Sequence, residues 1–143
     1  MGKNTLIAFD YGERRIGFAV GDQETGLCSP LSTLHSKDGG IDWQAIGKLL
    51  EEWQPAALVV GVPRHMDGSD SDMTARASRF GRQLNGRFAL PVHEADERTT
   101  SRQAEDIMRD NRSKGRRRSS KGDTDKIAAT LILQHWLEAG GSA

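Results

Sequence analysis

Carboxylates at three separated places in this sequence could do chemistry together. Asp10 ends the apolar run Leu6-Ile7-Ala8-Phe9, Asp96-Glu97 follow a shorter and more polar run, and Asp125 opens a helical stretch near the end. An ionised carboxylate among hydrophobic neighbours is costly unless a cation or hydrogen bonds compensate it. Three converging acids also repel one another, and a divalent cation is the simplest reason for them to coexist. All-oxygen ligands suit Mg²⁺ or Mn²⁺ better than zinc. Two such ions about 4 Å apart can activate a water and stabilise the leaving oxygen of a phosphodiester. The plain alternative is three unrelated structural acids: an Asx-turn residue, a surface pair and a helix-start Asp.

Convergence depends on the elements that carry these residues. Leu6 to Phe9 read as a strand buried on both faces. Tyr11-Gly12-Glu13-Arg14 supply turn chemistry, with Gly12 free to take a positive φ. A second strand follows, with Ile16, Phe18 and Val20 on one face and Gly17, Ala19 and Gly21 on the other. Residues 25–35 read as a third strand closing a meander, where Pro30 favours an edge or a bulge. Trp43, Ile46, Leu49, Leu50 and Trp53 recur at helical spacing and predict a helix near 42–53 that Pro55 ends. Residues 56–60 form a second buried strand ending at Gly61. A turn-rich loop leads to a helix over about 71–86 with the stripe Met73, Ala77, Phe80 and Leu84, and with Arg76, Arg79 and Arg82 opposite. Residues 88–95 read as a strand. Thr100 and Gln103 fit a capping box opening a helix to about Asp110. Residues 111–122 look irregular, and a last helix spans about 124–138.

The first, fourth and fifth strands are joined by helical crossovers, so they are expected to run parallel. Asp10, the Gly61 loop and Asp96-Glu97 then share one edge of the sheet, where open α/β sheets build their sites. Advancing about 100° per residue from Asp125 places Ala129, Ile132 and Trp136 within about 40° of it. Asp125 therefore falls on the apolar face in the first helical turn, where the helix dipole favours a negative charge. Asp123 falls on the polar side with Lys126 and Thr130, as an N-cap or a solvated residue.

The residues also carry a resemblance. Asp10-x-Gly12-x-Arg14-Arg15-Ile16-Gly17, Gly61-x-Pro63-x-x-Met66-Asp67-Gly68, Asp96-Glu97-Arg98 with Ala104, and Lys121-Gly122-x-x-Asp125-x-x-Ala128-Ala129 resemble the YqgF family over essentially the whole chain. These are bacterial proteins of ribonuclease H-like fold, described as pre-16S rRNA nucleases and formerly as Holliday junction resolvases. The resemblance implies one three-layer domain over residues 1–143, its mixed five-stranded sheet combining an antiparallel meander with parallel strands, flanked by helices. It also implies that Asp10, Glu97 and Asp125 are the catalytic and metal-binding acids, and that the chain matures the 5′ end of 16S rRNA. Thr99 replaces a frequent Leu, and Arg64-His65 replace a frequent Leu-Asn beside the expected site.

Composition is compatible with this. A chain of 143 residues, 36% hydrophobic and 28% charged, suits one soluble globular domain. No run approaches the roughly 18 apolar residues of a membrane span, and Asp10 arrives too early for a signal-peptide core. Cys28 is the only cysteine, so no internal disulfide or structural zinc site is expected, and a cytoplasmic location is the default. Net charge is zero, but residues 1–72 hold 6 basic and 11 acidic side chains while residues 73–143 hold 14 and 9. Arg112, Lys114, Arg116, Arg117, Arg118 and Lys121 form a basic run without an acid just before Asp125, a candidate for phosphate contacts. The Arg76, Arg79 and Arg82 face reads as a solvated helix face. His65 could assist proton transfer, and Asp67 is a weaker metal candidate within a rigid Met66-Asp67-Gly68 turn.

Three function classes fit the sequence. One is a metal-dependent nuclease acting on precursor rRNA, in ribosomal precursor particles or free, or on branched DNA. Another is a non-catalytic nucleic-acid-binding or ribosome-assembly factor. The third, a sugar-kinase-like phosphotransferase, also opens on a strand and Asp-x-Gly but needs two such domains, which this length does not provide.

Overall fold

The computed structural model of the chain describes residues 4–36, 40–65, 67–96 and 121–139, with side chains from 126 onward in the last stretch. The strands are β1 (Thr5–Tyr11), β2 (Arg15–Asp22), β3 (Cys28–His35), β4 (Ala57–Val62) and β5 (Val92–Asp96). The helices are α1 (Trp43–Trp53), α2 (Asp72–Phe88) and α3 (Lys121–Glu138). The expected helix from Thr100 to about Asp110 lies outside the described residues.

The sheet has the order β3-β2-β1-β4-β5, with β1, β4 and β5 parallel and the β1–β2–β3 meander antiparallel. β1 sits in the middle, which is why Leu6 to Phe9 carry no polar residue: both faces of the strand are covered. Ile7 and Phe9 point to the α1/α2 side, where they meet Ile46, Leu50, Ala77, Phe80 and Leu84. Leu6 and Ala8 point to the other side, against Ala129, Ile132, Leu133 and Trp136 of α3. The three layers are helices α1 and α2, the sheet, and α3.

The two faces differ in kind. The α1/α2 side is aromatic, with Phe9 edge-on to Phe18 (centroids 5.1 Å apart) and to Phe80 (5.6 Å). The α3 side is built from small residues, Ala8, Ala19, Ala57 and Ala95 among them. There the helix lies close: a Cβ on Gly21 would stand 2.7 Å from Leu133 Cδ2 and 3.2 Å from Cys28 Sγ.

Several boundaries differ from those read off the sequence, each for a local reason. β3 is an edge strand with a register irregularity opposite Phe18/Ala19, where Pro30 sits, as expected of a proline. It begins only at Cys28, because Asp22 Oδ1 accepts from the amides of Glu24 (2.8 Å) and Thr25 (3.1 Å) and draws the preceding residues into a turn. Gly12 does not take a positive φ; its missing side chain matters because a Cβ there would lie 2.7 Å from the Arg15 carbonyl oxygen. α2 continues through Phe88, so the fifth strand does not span 88–95. Ala89 caps α2 in the left-handed conformation (φ 55°), its amide donating to Asn85 O (2.9 Å). Met73 is only partly buried, and Thr74 takes its place in the buried stripe. α3 starts at Lys121, so residues 121 and 122 are helical and Asp123 is the third helical residue rather than an N-cap. Position 125 accordingly falls after the first turn, beyond most of the reach of the helix dipole.

Candidate active site

Asp10 is half-buried near the C-terminal end of β1. The register sets it level with Gly17 on β2 and Gly61 on β4, and beyond these with Thr33 on β3 and Ala95 on β5. One carboxylate thus stands in a row of small residues, both of its immediate cross-strand neighbours lacking a side chain. Alternation puts it on the α3 side, continuing Leu6 and Ala8. A hard, all-oxygen donor fits a hard divalent cation.

The other two expected acids are placed less fully. Ala95 belongs to the α3-side cluster and the His93 ring meets Trp136 of α3 at 5.0 Å, so His93 and Ala95 share Asp10's face. Asp96, level with Val62 and exposed, alternates to the opposite face. The sheet edge therefore brings Asp10, Gly61 and Asp96 to one end, but alternation separates Asp96 from Asp10. Glu97 lies outside the described residues. Position 125 lies in α3 one helical turn before the buried Ala129, with its side chain outside the description. Among the described residues, no group of three or more His, Cys, Asp or Glu side chains is gathered to hold an ion. Arg112, Lys114, Arg116, Arg117 and Arg118 fall outside the described residues, and of Lys121 only the backbone, the first residue of α3, is described.

The loop after β4 is a small knot of local hydrogen bonds. Arg64 bridges to Asp70 across it, both through the backbone and by an ion pair of 3.4 Å. The His65 amide donates to Ser69 O (2.9 Å), and Gly68, at φ 91°, donates to His65 O (2.8 Å). Asp67 Oδ1 accepts from the Ser69 hydroxyl (2.6 Å) and amide (2.9 Å). Those bonds, helped by the nearby His65, hold its carboxyl below the usual range. Asp67 is therefore engaged as a turn-former, and His65 is exposed in the same turn. Thr74 ties the loop to α2: its hydroxyl donates to Pro63 O and accepts from the Ser71 amide (2.7 Å). Ser71 and Thr74 form a capping box in which Thr stands where Glu or Gln is usual.

Sequence reasoning missed a groove on the other side of β1. Tyr11, Glu13, Arg14, Trp43, Arg76 and Arg79 are among the residues lining a space of about 700 Å³. Measured from the buried stripe of α2 (Thr74, Ala77, Phe80, Gly81 and Leu84), Arg79 stands about 165° away, Arg82 about 135° and Arg76 about 105°. Arg76 therefore lies on the flank of the helix rather than opposite its buried stripe. Arg76 pairs with Glu13 of the β1–β2 turn.

The family described as "RuvX: Holliday junction resolvase" matches residues 4–139. Relatives named "Putative pre-16S rRNA nuclease" include one from Pseudomonas putida, 49% identical over 94% of this chain and 94% of its own length. Another, from Dechloromonas aromatica, is 51% identical over 94% of this chain and 91% of its own. Among solved structures, the fowlpox virus resolvase in complex with Holliday junction DNA covers 94% of this chain and 97% of its own at TM-score 0.60 and 12% identity. Thermus thermophilus RuvC with a Holliday junction substrate covers 95% and 94% at TM-score 0.53 and 15% identity. At those identities the likeness is one of fold: a ribonuclease H-like mixed sheet between helical layers.

Proposed function

This chain belongs to the RuvX family, and from that premise we propose that it is a divalent-metal-dependent nuclease acting on the 5′ end of pre-16S rRNA. The observation that supports this best is Asp10 at the end of the central strand, flanked by Gly17 and Gly61. Asp10, Glu97 and Asp125 would hold Mg²⁺ or Mn²⁺, in one or two ions. Such ions, when bound, lower the pKa of a water and neutralise charge on the scissile phosphate.

The chain's own residues account for the rest of the reading. Glu97 directly follows β5, whose C-terminal end shares the sheet edge with Asp10. Position 125 lies in α3 one helical turn before Ala129, which packs in the cluster of Leu6 and Ala8 on Asp10's face. Arg112, Lys114, Arg116, Arg117, Arg118 and Lys121 would hold phosphates beside these acids. The partner would be precursor rRNA, in cytoplasmic ribosomal precursor particles. Among the described residues, no helix is long and apolar enough to cross a membrane.

A second reading, cleavage of branched DNA, is favoured by the family's own description. Cleavage assays with Mn²⁺ on pre-16S rRNA, generic single-stranded RNA and a four-way DNA junction separate the two. Asp10→Asn should abolish cleavage of whichever substrate the chain prefers, with metal-free thermal stability unchanged or slightly raised as a half-buried charge is removed. Wild-type rates in that variant would overturn the assignment, and purified chain inactive on all three substrates would favour a binding factor.

A further inference from the structure

Tyr11 directly follows Asp10, and alternation turns it to the opposite face of the sheet, where its ring lies against Phe80 (centroids 4.9 Å apart). Trp43 stacks on the same Phe80 ring at 5.7 Å. Tyr11 and Trp43 thus give the groove an aromatic floor held in place by the core. Three guanidinium groups reach it from two separate elements: Arg14 from the β1–β2 turn, and Arg76 and Arg79 from α2. Among the described lining residues the one carboxylate is Glu13, already paired with Arg76. Charges on a merely solvated helix face do not converge with those of another element over aromatic rings. The space, about 700 Å³, lies within the range of ligand-binding clefts, about 300–1,000 Å³.

We propose that this groove is a second nucleic-acid subsite, in which Arg14, Arg76 and Arg79 hold the phosphates of a single strand whose bases meet Tyr11 and the edge of Trp43. A single strand is the occupant because aromatic contacts require unpaired bases, whereas a duplex presents chiefly phosphate and sugar. The Arg87 guanidinium lies 4.2 Å from the Trp43 ring centroid, so Tyr11 is the ring better placed to stack. The groove begins one residue from Asp10, so a strand turning over the sheet edge at Tyr11–Arg14 could engage both faces. The inference rests on the nucleic-acid reading above, but not on hydrolysis.

The test is binding in EDTA, followed by anisotropy of a short fluorescein-labelled single-stranded RNA, the DNA strand of the same sequence, and the RNA duplex. Arg14→Ala with Arg79→Ala should lower the log–log salt slope for the single strands by about 0.7 per lost phosphate contact. Affinity would then fall several-fold at low salt and change little at high salt. Arg79→Lys should retain the slope, and Glu13→Gln, which removes the competing carboxylate, should tighten binding several-fold. The groove is overturned if affinity and slope stay at wild-type values, if Glu13→Gln brings no gain, if the duplex loses as much as the single strand, or if the wild type binds no single strand. A chain that binds through the groove yet cleaves nothing refutes the nuclease reading alone.

Discussion

What surrounds Asp10 explains more than Asp10 itself. A carboxylate on a central strand usually faces bulky cross-strand neighbours, but here both, Gly17 and Gly61, lack a side chain. The same attention to position separates Asp125 from Asp123. Position 125 precedes the buried Ala129 by one turn, whereas position 123 is two residues away and on another face of the helix. Asp125→Asn is expected to eliminate metal-dependent cleavage. Asp123 lies in the first turn of α3, where an acid gains about 0.3–1 kcal/mol from the helix dipole, so Asp123→Asn should cost at most that and leave cleavage near wild type. Paired Mn²⁺ titrations and rate assays on the two variants decide it. Equal losses would mean that both acids bind metal, and a loss confined to Asp123→Asn would reverse the helix phase.

Among elements, α3 is the most constrained by its neighbours, because it lies on a floor of alanines and on Gly21. Gly21→Ala would drive a Cβ to 2.7 Å from the fully buried Leu133 side chain. The cost should be about 1–3 kcal/mol in urea unfolding, and in part relieved when Leu133→Val is combined with it, giving a coupling energy above about 0.5 kcal/mol. This floor was half legible in the sequence. Leu6 to Phe9 and Ala57 to Val60 announce buried strands through their lack of polar residues, and crossover chirality then brings Asp10 and Asp96 to one edge. Pairwise register is not written in such runs, so the glycine flanks of Asp10 were not foreseeable. The end of α2 was hidden because Phe88-Ala89-Leu90 is apolar and no Gly or Asn marks Ala89 as the left-handed cap. The start of α3 was hidden because Gly122 and two serines before it resemble loop chemistry, although the helix takes Gly122 into its first turn. The groove escaped notice because arginines about 105° and 165° from a helix stripe read as solvent-facing until a neighbouring turn is known to lie there.

Over the whole molecule, charge is divided between an acidic first half and a basic second half, balances of −5 and +5 from the counts of 6 and 11 against 14 and 9. Replacing Arg116, Arg117 and Arg118 by Ala should weaken RNA binding across sequences and lower its log–log salt slope, by about 0.7 per lost contact with a single strand. An unmoved slope would make the run a solvated linker. The layering has one more outcome, which concerns time. The strands β1, β2 and β4 come early in the chain, but one face of them, Leu6, Ala8, Ala19, Ala57 and Val59, is covered among the described residues chiefly by α3. A ribosome synthesising this chain N-terminus first must carry that face uncovered until residues 126–138 have emerged. Until then the meander has only half its core, and a stalled or truncated chain offers chaperones an apolar patch rather than a folded sheet. Position 125 is carried by the same helix, so the proposed set of acids is positioned only as that face is covered.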